Sequence, residues 1–138
     1  MIIFQTDSVE MPAIDDKKIS SWLKDVAHSY GKRVGDLCYR FCSDDVILDC
    51  NRQFLNHDYF TDIITFDYCE GNRISGDMLI SLDTVASNAH QLGVDYDREL
   101  LRVIVHGVLH LCGFHDKEPG EREEMEAAEN KALDLIGI

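Results

Sequence analysis

Most of what would mark this 138-residue chain as fibrous, secreted or membrane-spanning is missing. Proline occurs twice and glycine nine times, too rarely for a collagen-like or low-complexity chain. No apolar run nears the roughly 20 residues that cross a bilayer, and Val103-Ile104-Val105 is typical of the stretches present. No membrane partner is therefore expected. The start, Met1-Ile2-Ile3-Phe4-Gln5, lacks the basic segment and the length of a secretory signal. The five cysteines, Cys38, Cys42, Cys50, Cys69 and Cys112, are odd in number and include no Cys-x-x-Cys. That argues against a disulfide scaffold and for a reducing cytoplasm, with each thiol a small apolar side chain. Positive charge is also scarce: 13 Lys and Arg against 26 Asp and Glu leave a net charge of −13. Such a balance disfavours adhesion to anionic membranes or bulk nucleic acid, so an anionic partner must be met locally.

What is present is enough apolar material, 45% of residues, for one compact domain over 1–138. Ile2 to Phe4 reads as a strand, and Ile19, Trp22, Leu23, Val26, Ala27 and Tyr30 recur at helical spacing up to Gly31. Leu37 to Cys42 reads as a strand feeding a helix capped by Ser43 and running through Phe54. Ile63–Tyr68 and Ile74–Ser81, separated by Glu70-Gly71-Asn72, read as a hairpin. A short helix from Asp83 ends at Gly93, and a longer, largely apolar one capped by Asp97 runs to Gly113. Pro119 suits the first turn of a terminal helix whose acids, Glu118, Glu121, Glu123, Glu124, Glu126 and Glu129, read as a solvated face. This order predicts an α+β fold: a small mixed four-stranded β-sheet covered by helices, with an apolar central helix.

Three of the six histidines fall within ten residues, in His106-Gly107-Val108-Leu109-His110-Leu111-Cys112-Gly113-Phe114-His115-Asp116. On a helix His106 and His110 project side by side, so two imidazoles can grip one cation. Gly113 can end the helix in a left-handed cap and swing the next residues back toward the same point. The spacing resembles the extended zinc motif of metzincin-like helices, whose third ligand is usually His; here Asp116 holds that position and is the preferred ligand, with His115 the alternative. Three protein ligands leave a position for water, as in catalytic sites. Zn2+ is the default, one per chain, although nickel, cobalt or copper also accept these nitrogens. Zinc peptidases carry Glu after the first His, where this chain has Gly107, which weighs against a protease. Gly107 either admits a bulky group to the metal or permits close helix packing.

These residues resemble the YbeY family of zinc-dependent endoribonucleases, whose hallmark is similar to His106-Gly107-Val108-Leu109-His110-Leu111-Cys112-Gly113-Phe114. Leu48 to Phe54, Thr61-Asp62-Ile63-Ile64-Thr65-Phe66 and Gly76-Asp77-Met78-Leu79-Ile80-Ser81 resemble three further family segments, so the likeness covers nearly the whole chain. Two positions depart from it: Asp116 stands where the family usually has His, with His115 in the place more often Asp, and Leu55 stands where an arginine is common. The resemblance implies a cytoplasmic enzyme that cleaves single-stranded RNA, acting with the ribosome or ribosomal proteins in 3′-end maturation of small-subunit ribosomal RNA and in ribosome quality control. Zinc can polarise a phosphoryl oxygen and lower the pKa of water it binds to about 7. In this reading His57, His115 and Arg52 are catalytic, His57 or His115 moving protons, while Arg52, Asn56 and Phe114 contact substrate. Arg33, Arg40, Arg52, Arg73 and Lys117 form a basic strip if the fold gathers them, and Tyr59, Phe60 and Phe114 offer rings for stacking on bases. Attack by water and attack by the ribose 2′-hydroxyl both remain open. The alternatives are a metallohydrolase acting on a peptide or small molecule, and a ribosome assembly factor with a mainly structural metal.

Overall fold

In a computed structural model, residues 1–55 and 61–138 are described, apart from the side chain of Leu55. The elements run β1 (Ile2–Thr6), α1 (Asp16–Ser29), β2 (Arg33–Cys42), α2 (Asp44–Cys50), a π-helical turn (Asn51–Leu55), β3 (Ile63–Asp67), β4 (Arg73–Ser81), α3 (Leu82–Leu92), α4 (Tyr96–Leu111) and α5 (Glu121–Ile136). The four strands form one mixed sheet in the order β1-β2-β4-β3. β1, β2 and β4 are parallel, and β3 folds back antiparallel on β4 to form the expected hairpin. β3 is thus an edge strand.

Side chains alternate across the sheet with period two. On β2, Leu37, Tyr39 and Phe41 point into the main core, where Trp22, Leu23 and Val26 of α1 and Val103, Ile104 and Val108 of α4 meet them. Two buried hydrogen bonds fix the layers: Tyr39 Oη donates to the Ile104 carbonyl at 2.7 Å, and Trp22 Nε1 donates to the Ala132 carbonyl at 2.7 Å. The opposite face is covered in part by α2, where Ile47 packs with Cys42 and Ile64. α4 therefore lies against the sheet with most of its circumference buried, as its composition requires.

Several element ends differ from the sequence reading. β2 starts at Arg33 rather than Leu37, because pairing with β4 begins at Arg33 and Val34 and crosses an irregularity before Leu37; Gly35 and Asp36 break the apolar alternation there. Ser43 does cap α2, its hydroxyl facing the Val46 amide at 3.5 Å, but the α-helix stops at Cys50 and widens into the π turn. Asp95 occupies the N-cap of α4, and Asp97 sits in the first turn, where its charge favours the helix dipole. Pro119 lies before α5, which begins at Glu121 after Gly120.

Candidate metal centre

The C-terminal half of α4 carries His106 and His110 on one face, their ring centroids 4.5 Å apart. The helix ends in a Schellman arrangement: the Phe114 amide donates to the Leu109 carbonyl at 3.0 Å and the Gly113 amide to His110 at 3.0 Å. Gly113 has φ +108°, a conformation that L side chains rarely adopt. This reversal returns the chain along the helix end and brings Asp116 back over both imidazoles. Its Oδ2 lies 3.3 Å from His106 Nε2 and 3.7 Å from His110 Nε2. All three ligand atoms fall within 4.8 Å of one another, the one such group of three or more metal-binding side chains among the described residues. A cation bound at about 2.1 Å by tetrahedral ligands needs those ligands roughly 3.4 Å apart. The donor set fits such an ion.

The three side chains stand in a cleft of about 510 Å³ that is also lined by Thr61, Asp62, Ile63 and Thr65 of the edge-strand region and by Asn51 and Lys117. Each imidazole uses its remaining nitrogen to hold its orientation. With the proton on Nδ1, His110 donates to the Phe114 carbonyl at 3.0 Å and His106 donates to Glu129 Oε2 at 2.6 Å. Both Nε2 lone pairs are then free to face the cleft. Burial, and next the neighbouring His106, hold the His110 pKa below its ordinary value, which keeps it neutral and ready to bind a metal. Cys112, at the same helix end, is pushed up to about 11 by burial and stays a thiol.

Glu129 corrects one expectation. It was grouped with the solvated acids of the terminal helix, yet it is 4% exposed and also accepts from Arg102 Nη1 at 3.1 Å. Within α5 it falls on the same face as Met125, Ala128, Ala132 and Leu133, which are buried. Its spacing from Met125 and Leu133 was the available signal, obscured by the run of glutamates around it.

The other site candidates are scattered differently. His115 is exposed and lines the cleft beside Asp116 without joining the three-ligand group. Phe114, expected to stack on bases, turns its ring instead against Tyr30, with centroids 5.1 Å apart, because the tight turn after Gly113 directs it into the core; its carbonyl is what reaches the site. Arg52 is exposed on the π turn next to Asn51. Asn56, His57, Tyr59 and Phe60 lie outside the described residues. The basic strip does not assemble at the metal: Arg73 pairs with Asp36 at 3.3 Å, Arg33 Nε donates to Asn72 Oδ1 at 3.4 Å and Arg40 donates to Gln5 Oε1 at 3.3 Å. Lys117 alone of those described cations lines the cleft. Gly107 is resolved in favour of packing, since a Cβ there would lie 2.9 Å from Met78 Cγ and 3.1 Å from Ile63 Cδ1.

Two helical imidazoles and a carboxylate delivered by the following turn, opening on a cleft beside a mixed sheet, define an α+β protein of the metal-dependent hydrolase type. The family model described as endoribonuclease YbeY matches residues 2–137, and the chain belongs to that family. It is 67% identical over 138 residues to endoribonuclease YbeY of Phocaeicola vulgatus, covering all of both chains. It is 62% identical over 132 residues to that of Bacteroides thetaiotaomicron, covering 96% of each. The solution structure of TM1509 from Thermotoga maritima is similar with a TM-score of 0.65 at 26% identity, over 99% of this chain and 89% of that one. Among the described residues no helix is long and apolar enough to cross a membrane.

Proposed function

We propose that the chain is a metal-dependent endoribonuclease that cleaves single-stranded RNA, with zinc as its metal, and that it matures the 3′ end of small-subunit ribosomal RNA in the cytoplasm in association with the ribosome. The observation that carries this reading is the convergence of His106 Nε2, His110 Nε2 and Asp116 Oδ2 at the wall of an open cleft. The endoribonuclease activity follows the relatives that match over all or nearly all of the chain. A divalent cation held by these three groups supplies Lewis acidity to a phosphoryl oxygen and acidifies water.

The chain's own residues supply the rest. The cleft beside β3 admits a single strand, and Lys117, which lines it, meets a non-bridging phosphate oxygen. In this proposal His115, which is exposed and lines the same cleft, gives a proton to the departing ribose oxygen. Arg52, next to buried Asn51, and Asn56 serve as substrate contacts in this proposal, with His57 as a second proton carrier. Gly107 supplies no carboxylate, and a side chain there would press on Met78 and Ile63, which would have to shift. That favours phosphodiester over peptide hydrolysis.

His110→Ala should fold, lose stoichiometric zinc and lose cleavage of unstructured RNA. Asp116→Ala should also lose zinc, whereas His115→Ala should keep zinc and lose turnover. Metal analysis of each protein, purified without added metal and then assayed on RNA, reads all three. Cleavage that survives in His110→Ala or in excess chelator sinks the metal mechanism, and zinc loss confined to His115→Ala reassigns the third ligand.

A further inference from the structure

A buried carboxylate is costly unless it is paired and hydrogen-bonded. Glu129 meets that condition twice through one atom: Oε2 lies 2.6 Å from His106 Nδ1 and 3.1 Å from Arg102 Nη1. Arg102 is in turn held by Glu99, which accepts from Nε at 2.9 Å and from Nη2 at 2.6 Å, and it pairs with Asp62 at 3.4 Å. The network runs from α5 through Arg102 on α4 to the start of β3. Among the described residues it meets the metal-binding set at His106 Nδ1.

We infer that Glu129 is a positioning residue of the metal centre. Its carboxylate, anchored by Arg102, fixes His106 in the tautomer and ring orientation that present Nε2 to the cleft. The inference rests on the metal-dependent reading above. An imidazole can bind a cation through either nitrogen, and a free ring samples both orientations. Committing Nδ1–H to a carboxylate removes that choice and raises the basicity of Nε2. His110 is anchored differently, by the Phe114 carbonyl at 3.0 Å, within the turn that also delivers Asp116. The two imidazoles are thus set by separate elements, and the affinity of the centre depends on a residue 23 positions beyond His106.

Glu99 separates positioning from mere stability, because it is buried on the same Arg102 but does not contact His106 in the described network. The test compares wild type with Glu129→Ala, Glu129→Gln and Glu99→Gln. Zinc affinity is measured by competition with a chromogenic chelator, and the His106 tautomer in metal-free protein by proton–nitrogen correlation of the ring. Glu129→Ala should weaken zinc roughly 10- to 100-fold, Glu129→Gln, which keeps an acceptor oxygen, should recover part of that loss, and Glu99→Gln should stay within about twofold of wild type. The Nδ1–H signature of His106 should vanish in the alanine variant and persist in the other two. If Glu129→Ala does not fold, the partial loss in Glu129→Gln carries the test, and full wild-type affinity there overturns the inference. Wild-type affinity with an unchanged tautomer in Glu129→Ala, or an equal loss in Glu99→Gln, also overturns it while leaving the metal reading intact. A wild-type protein that takes up no zinc overturns both.

Discussion

Removing the guanidinium of Arg102 is the most informative perturbation of the fold beneath the site. This one cation faces three carboxylates, and the side chains of Glu99 and Glu129 are 1% and 5% exposed. Desolvation pulls the Arg102 pKa down, but its hydrogen bonds to Glu99 and the charges of Glu129, Glu99 and Asp62 outweigh it and hold the group above its ordinary value. Arg102 is therefore charged at every working pH. Arg102→Met keeps the apolar stem and leaves two buried carboxylates without a counter-charge. Breaking a buried pair from one side costs about 3–5 kcal/mol, a large part of the roughly 5–15 kcal/mol that holds a domain together. At this chain length the loss corresponds to a fall in Tm of about 10–20 °C.

Urea unfolding followed by circular dichroism at pH 7 reads the gap between wild type and Arg102→Met. Adding Glu99→Gln to Arg102→Met should restore part of the loss, because it removes one stranded charge. A gap below about 1 kcal/mol at pH 7, or a double variant with simply additive losses, would refute the reasoning.

Two further outcomes follow from the helix end. Gly113→Ala forces a Cβ onto φ +108°; it should cost about 1–2 kcal/mol in urea unfolding, and it should weaken zinc as well, because Asp116 rides on that turn. A stable variant with unchanged metal affinity would contradict this. In metal-free protein, His110 has its folded-state pKa held below the unfolded value of 6.5 by burial and by His106. The unfolded chain therefore takes up the proton first, and stability is fully present above that value and lost as pH falls below it. The urea midpoint should drop between pH 7.5 and pH 5.5, with a smaller drop in His110→Ala; equal slopes in the two proteins would remove His110 from the account.

Much of this fold is written in local patterns. The α1 face, the Ser43 cap, the β3–β4 hairpin and the stop at Gly93 each depend on residues within a turn or two of one another, and each lies where the sequence places it. The misplacements share a cause. β2 extends back to Arg33 because β4 is there to pair with it, although Gly35 and Asp36 erase the alternation that would mark a strand. The turn at Asn51–Leu55 departs from α-helix at a buried polar residue, whose environment is tertiary. Local propensity has no access to either partner.

The site divides in the same way. His106, His110 and Asp116 were legible because one helix turn and one glycine reversal bring them together, all within eleven residues. Glu129 was not, since its burial depends on how α5 docks on α4, and its neighbours in sequence are indistinguishable solvated acids. Phe114, beside the metal motif, reads as a ring for stacking, and its contact with Tyr30, a tertiary feature, is not legible in the local sequence.

The distribution of charge explains how so acidic a chain can hold an anionic polymer. Of the acids lining the cleft, Asp62 is paired with Arg102, Asp67 accepts from the Cys69 amide at 2.8 Å, and Asp116 faces the two imidazoles. Asp62 and Asp116 thus face an arginine and the imidazoles, while Asp67 keeps its charge, exposed at the end of β3. Two neutral imidazoles and one carboxylate leave a bound dication with net positive charge, and Lys117 lines the same cleft. Attraction for phosphate is therefore concentrated at the point of chemistry rather than spread along a basic track. Such an arrangement contacts few phosphates, and counterion release scales with their number, so affinity along the rest of the RNA has to come from base contacts or from a partner that presents the strand.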